Sequence, residues 1–122
     1  MNIIYRELSY EIIGVAMEVH RELGYGFLEK VYENAMVIIL KERNLNVKQQ
    51  EEIKVNFHGQ EIGNYISDLI VEDKIIIELK AATKIKDVHK VQIANYLKAT
   101  GKKLGIIINF GREKLEFERV VM

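Results

Sequence analysis

Tyr65-Ile66-Ser67-Asp68-Leu69-Ile70-Val71, the polar step Glu72-Asp73-Lys74, and Ile75-Ile76-Ile77-Glu78-Leu79-Lys80 form the stretch that decides the fold. Two apolar runs of strand length flank a turn, and charged side chains interrupt both. In an extended chain side chains alternate, so Ile76, Glu78 and Lys80 share one face of the later strand. Ile66, Asp68 and Ile70 share one face of the earlier strand. A lone carboxylate in such surroundings costs roughly several kcal/mol unless it is neutralised, paired or bound to a cation.

Register decides whether the two carboxylates meet. A two-residue loop at Glu72-Asp73 would pair Val71 with Lys74 and set Asp68 opposite Ile77, sending it across the sheet from Glu78. A three-residue loop or a bulge pairs Asp68 with Ile76 or Glu78 and brings the acids together. The sequence predicts the second connection.

Working outward, Leu8, Ile12, Val15, Ala16, Val19 and Leu23 recur at helical steps, and Gly24 ends that helix. A second helix is expected from Phe27 to Arg43, packed beside the first. Beyond Asn44 the period becomes two. Val47–Phe57, Ile62–Val71 and Lys74–Lys80 read as a three-stranded meander with a turn at His58-Gly59. Lys86–Thr100 returns to helical spacing, Leu104–Phe110 is a buried strand, and Lys114–Val121 alternates as an edge strand. The order is ααβββαββ, an α/β (α+β) arrangement.

A chain of 122 residues is expected to form a single domain over 1–122. Hydrophobic residues at 48% and charged residues at 30% describe a globular chain, not a disordered one. No cysteine is present, which excludes disulfides, thiolate zinc sites and a cysteine nucleophile. No stretch has the apolar length of a signal peptide or a membrane span, so a cytoplasmic location with no membrane partner is the expectation. Basic and acidic residues balance at 18 each, which argues against a general nucleic-acid coat protein. An enzyme with its cations gathered on one face remains compatible.

The pattern Glu-x-Lys carries little by itself, because it occurs at Glu52-Ile53-Lys54, Glu72-Asp73-Lys74 and Glu78-Leu79-Lys80. Only the third follows an apolar strand and lies ten residues after an aspartate in a neighbouring one. Glu78 and Lys80 read either as a structural ion pair or as part of a site. Glu29 shares a helical stripe with Tyr32 and Met36, so it either complements the helix dipole or adds a carboxylate to the site. His89, Gln92 and Tyr96 occupy one sector of the third helix. Tyr96 reads equally as a core aromatic and as part of a polar stripe that binds phosphate or positions a ligand. His20 and His58 have no partner at metal-ligand spacing.

The segment Leu23-Gly24-Tyr25-Gly26-Phe27-Leu28-Glu29-Lys30-Val31-Tyr32-Glu33 resembles the signature of the GxxExxY proteins, with Gly26, Glu29 and Tyr32 as its fixed positions. The likeness runs on through Asp68, Glu78-Leu79-Lys80, the Gln92 to Leu97 helix and Leu104 to Gly111. That family is placed in the PD-(D/E)XK nuclease superfamily. The resemblance implies a restriction-endonuclease-like core, a mixed central sheet flanked by helices in the order αβββαβ, here with an extra leading helix and an extra strand.

By the same resemblance, Asp68 and Glu78 correspond to the two acidic metal ligands, Lys80 to the motif lysine and Glu29 to a helical glutamate beside the metal. Gln92 and Tyr96 match a downstream Q-x-x-x-Y feature that contacts substrate or supports the site. Ser67 stands where the motif's name has proline, which has no chemical role there. Carboxylates with the Leu79 backbone carbonyl suit Mg²⁺ or Mn²⁺. The expected activity is metal-dependent phosphodiester hydrolysis by Glu29, Asp68, Glu78 and Lys80, with DNA favoured over RNA. The competing expectation is a catalytically inactive module that keeps the fold for nucleic-acid or protein binding. A homodimer fits either, since so small a domain offers little surface to grip a duplex.

Overall fold

Between Leu104 and Phe110 every residue is buried, and the strand they form lies beside a second buried strand at the centre of a mixed sheet. The structure is a computed structural model and describes residues 3–122. Its elements are α1 (Arg6–Leu23), α2 (Glu29–Glu42), β1 (Val47–Phe57), β2 (Gln60–Val71), β3 (Ile75–Lys80), α3 (Asp87–Thr100), β4 (Leu104–Asn109) and β5 (Glu116–Val121). This is the expected order. The five strands lie in the sequence β1-β2-β3-β4-β5, antiparallel except for the parallel pair β3–β4 that α3 connects. The edge position expected for the last strand is the one β5 takes.

Helices cover both faces. α1 and α2 bury Val15, Val19, Tyr32 and Met36 against Leu69, Ile77 and Ile106. On the other face, α3 sets Ile93, Tyr96 and Leu97 over Ile70, Ile76 and Ile107. A strand covered on both faces has no room for alternating polarity, which is why β3 and β4 read as near-continuous apolar runs. Gly105 lets α3 come close, since a Cβ there would stand 2.7 Å from Ile93 Cδ1.

Element ends differ by a few residues from expectation. α2 begins at Glu29 and not Phe27, because Gly26 takes φ 115° and Leu28 is extended as the N-cap. β5 begins at Glu116, two residues later than expected. Among the described residues no helix is long and apolar enough to cross a membrane.

The β2–β3 connection has three residues, pairing Val71 with Ile75, Ile70 with Ile76 and Leu69 with Ile77. One further step sets Asp68 opposite Glu78, as the buried-charge argument required. The ladder, however, stops at Leu69. The β1–β2 ladder also skips one position, where Gln50 takes φ 55° opposite Asp68. The pairing breaks at this position without a change of register. Leu69 packs with α1 and α2, whereas Ile53 packs with α3, and the Tyr65 ring lies 5.5 Å from that of Tyr96. The outer half of the β1–β2 hairpin has rolled over α3. The expected shared face of Ile66, Asp68 and Ile70 therefore fails: Ile70 is buried and Ile66 is 47% exposed. Regular alternation does not survive the break at Asp68.

Candidate functional site

Where β2 leaves β3, backbone groups that would have formed the next ladder bonds are met by side chains. The amide of Leu79 donates to Asp68 Oδ2 at 2.8 Å, and the amide of Asp68 donates to Glu78 Oε1 at 3.4 Å. Two acids thus occupy the mouth of a split sheet, each bonded to the other's strand. Glu78 is 7% exposed, and Asp68 is half-buried. Burial, then the neighbouring charge of Asp68, pushes the Glu78 carboxyl up to about 8. Burial also raises Asp68, and the charge of Glu33 adds to the effect.

Lys80 ends β3 half-buried. Its charge lowers the pKa of both carboxylates, though among the described residues it forms no ion pair within 4.0 Å. The reading of Glu78 and Lys80 as a structural ion pair has no such contact behind it. The loop after β3 is anchored by Asn109. Its Oδ1 accepts the Ala82 amide at 2.9 Å, and its Nδ2 donates to Ala82 O and Glu116 Oε1 at 3.0 Å each. Gly111 lies so close that a Cβ would collide with the Ala82 backbone.

A cleft of about 660 Å³ opens beside Asp68, lined also by Glu29, Glu33, Gln50, Ala81 and Gly111. Glu29 opens α2 and is exposed on this cleft. The buried carboxylate of the helix is Glu33, one turn later and 3% exposed, which the sequence reading passed over. Glu33 Oε2 takes Lys30 Nζ at 2.9 Å and Gln49 Nε2 at 2.6 Å, and Oε1 takes Gln50 Nε2 at 2.9 Å. Adjacent strand residues ordinarily point to opposite faces. The positive φ of Gln50 lets Gln49 and Gln50 both reach Glu33, so the break that places Asp68 also ties β1 to α2. The spacing of four from Glu29 was the only sequence signal for Glu33.

Among the described residues no three acidic or imidazole side chains converge at a spacing that would hold a metal ion. Glu29, Asp68 and Glu78 are thus not assembled as a trio: the helix carboxylate stands on the rim of the cleft while the other two meet inside the sheet. The donor chemistry of Asp68 and Glu78 still fits a hard cation. Two oxygen ligands with retained waters suit Mg²⁺ or Mn²⁺, and a cation would relieve the burial and repulsion that raise Glu78.

Tyr32 explains the glycine-rich turn. Fully buried, it stacks on Phe110 at 4.5 Å, donates to Gly24 O at 2.7 Å and accepts the Phe27 amide at 3.2 Å. The hydroxyl thereby fixes the segment 24–27, and with it one wall of the cleft.

Gln92 Nε2 donates to the Tyr96 hydroxyl at 2.9 Å. Burial and then the Glu78 charge raise the Tyr96 pKa. Tyr96 is also a core aromatic, packed with Ile76, Ile93 and Ile107. His89 Nδ1 accepts the Lys86 amide at 3.0 Å as part of the α3 cap. His20 Nε2 bonds Arg112 O at 2.8 Å and ties α1 to the β4–β5 loop.

No curated protein matches the chain. Among solved structures, the crystal structure of SSO0001 superposes with a TM-score of 0.56 at 20% identity, over 75% of this chain and 48% of that one. An alkaline exonuclease (LHK-Exo) from Laribacter hongkongensis matches with a TM-score of 0.48 at 13% identity, over 75% and 55%. The chain therefore spans about half the length of these structures. The first likeness concerns the fold, a mixed sheet with helices on both faces. A family model described as the PD-(D/E)XK nuclease superfamily matches residues 6–120, and the chain belongs to that superfamily.

Proposed function

We propose that the chain is a divalent-metal-dependent nuclease acting on DNA, with Asp68 and Glu78 as metal ligands, joined by the Leu79 carbonyl. The observation that carries this reading is the Asp68–Glu78 pair at the mouth of the split sheet, with Glu78 raised to about 8 and Lys80 beside it. Buried carboxyls without a close counter-ion are costly, and a perturbed carboxylate lining a cleft, as Asp68 does, marks a functional site. Superfamily membership supports the same chemistry.

When bound, Mg²⁺ or Mn²⁺ would polarise the phosphodiester and acidify an attacking water. The chain's own groups do the rest. Lys80 offers its ammonium to a phosphate oxygen or orients the water, Glu29 stands at the rim where it can hold a hydrated ligand, and Gln92 with Tyr96 presents polar groups from α3. A homodimer fits this reading and its alternative alike; Tyr10, Met17 and Phe117, exposed around a groove at Gly14, support it.

The test is cleavage of labelled DNA with millimolar Mg²⁺ or Mn²⁺. Lys80→Ala, Asp68→Asn and Glu78→Gln are each expected to abolish cleavage while leaving the circular dichroism spectrum unchanged. Cleavage by Lys80→Ala equal to wild type would reject the assignment.

The second reading, an inactive binding module, draws on the missing carboxylate trio and on Asp68 Oδ2 being engaged by the Leu79 amide. Full occupancy of both acids by backbone donors would give no cleavage and no response of stability to Mn²⁺.

A further inference from the structure

The rolled hairpin creates a second feature that the metal chemistry does not use. Between it and α3 lie two hollows in series. The first, about 370 Å³, lies next to Tyr96 and is lined by Tyr65, Val88, Val91, Gln92 and Asn95. The second, about 440 Å³, lies further out, lined by Val55, Asn56, Tyr65, Asn95, Lys98 and Ala99. Tyr65 and Asn95 belong to both, so the two form one track that runs from Tyr96, on the α3 side of the sheet, out to Lys98.

Its chemistry is selective. Val88 and Val91 are exposed at 66% and 59%, and Tyr65 at 49%, an apolar surface with no protein cover among the described residues. Neither hollow is lined by a carboxylate, and the inner one has no cation. Such a wall does not hold a phosphate. It offers a stackable ring and aliphatic flanks to a flat heterocycle, with the amides of Gln92 and Asn95 placed for its polar edge. The outer hollow adds Lys98, free of ion pairs among the described residues, where a following phosphate would pass.

We propose that this track holds the unstacked bases of a single strand, so that the substrate class is unpaired nucleic acid and not a paired helix. A base seated between Tyr65 and Val91 would set the adjoining phosphate toward Asp68, Glu78 and Lys80. A stacked duplex cannot offer its bases to such a slot without unpairing them. The inference rests on the nuclease reading, and binding can be measured apart from cleavage.

The experiment uses the full chain in EDTA, with fluorescence anisotropy of a labelled oligothymidylate and of a blunt duplex of equal length. The single strand is expected to bind more tightly, and Tyr65→Ala to weaken it by about 5- to 150-fold, the span of base–aromatic stacking. Val91→Glu, at an exposed position, is expected to do the same while leaving the melting temperature near that of wild type. Wild-type affinity in both variants, equal or tighter binding of the duplex, or no binding of either probe overturns the track. Cleavage in Mn²⁺ that ignores both variants overturns the track and leaves the nuclease reading standing. Strand binding through Tyr65 without cleavage does the reverse.

Discussion

Asp68 substitutes its side chain for a missing ladder bond: its Oδ2 accepts the Leu79 amide at 2.8 Å where β2 has already left β3. An open sheet edge inside a fold leaves amides that need acceptors. A carboxylate that supplies one is locked in place, on the strand next to Glu78, and the lock leaves the pair fixed rather than as two mobile acids.

The raised Glu78 carboxyl predicts a pH dependence of stability in the absence of divalent ions. Its folded-state pKa of about 8 lies above the ordinary 4.5, so the folded chain binds more protons between those values. Stability is fully present below pH 4.5 and is lost as pH rises to about 8, beyond which the loss levels off. Asp68, also raised, contributes in the same direction. Thermal melts in EDTA should show the difference between wild type and Glu78→Gln drifting against wild type across this window; parallel curves would contradict the assignment.

Metal binding should carry the opposite dependence, because the ligands must lose their protons first. Mn²⁺ at about 100 times its dissociation constant is expected to stabilise the chain by about 2.7 kcal/mol. The rise in melting temperature should be larger at pH 8 than at pH 6 and absent in Asp68→Asn. An equal rise in that variant would place the ion elsewhere.

Removing the Tyr32 hydroxyl tests the anchoring of the cleft wall. Tyr32→Phe keeps the stack on Phe110 but strips partners from Gly24 O and the Phe27 amide. A loss of about 1–3 kcal/mol in urea unfolding is expected. No change would mean that water replaces the hydroxyl at both groups.

Glu33 should act on Asp68 through charge. Glu33→Gln removes a negative neighbour that raises Asp68, so the Asp68 carboxyl pKa should fall, read by carbon-detected NMR titration. Stability should drop by about 1–3 kcal/mol, because Lys30, Gln49 and Gln50 lose their charged acceptor. An unmoved Asp68 titration would show that the two are electrostatically separate.

Much of this molecule is legible from local pattern. The three-residue turn after Val71 followed from the cost of burying lone acids, and the meeting of Asp68 with Glu78 came with it. The Gln92–Tyr96 contact followed from helical spacing. Glu29 and Glu33 show the limit of such reasoning. They lie four apart on one stripe of α2, and periodicity ranks them equally. Only the docking of α2 on the sheet leaves the first turn at the cleft rim and carries the next one under Gln49 and Gln50.

The amino-acid sequence by itself determined the order of helices and strands, because the period of apolar residues is a property of neighbours along the chain. It also gave reason to expect Asp68 and Glu78 on adjacent strands at one place, because a buried carboxylate needs neutralisation, an opposite charge or a shared cation on any backbone. Tertiary structure alone decided where the sheet splits, which carboxylate of α2 is buried, and that Tyr65 faces α3. Those depend on the break in strand pairing at Gln50 and Asp68, where Gln50 takes a positive φ that only packing on either side can hold.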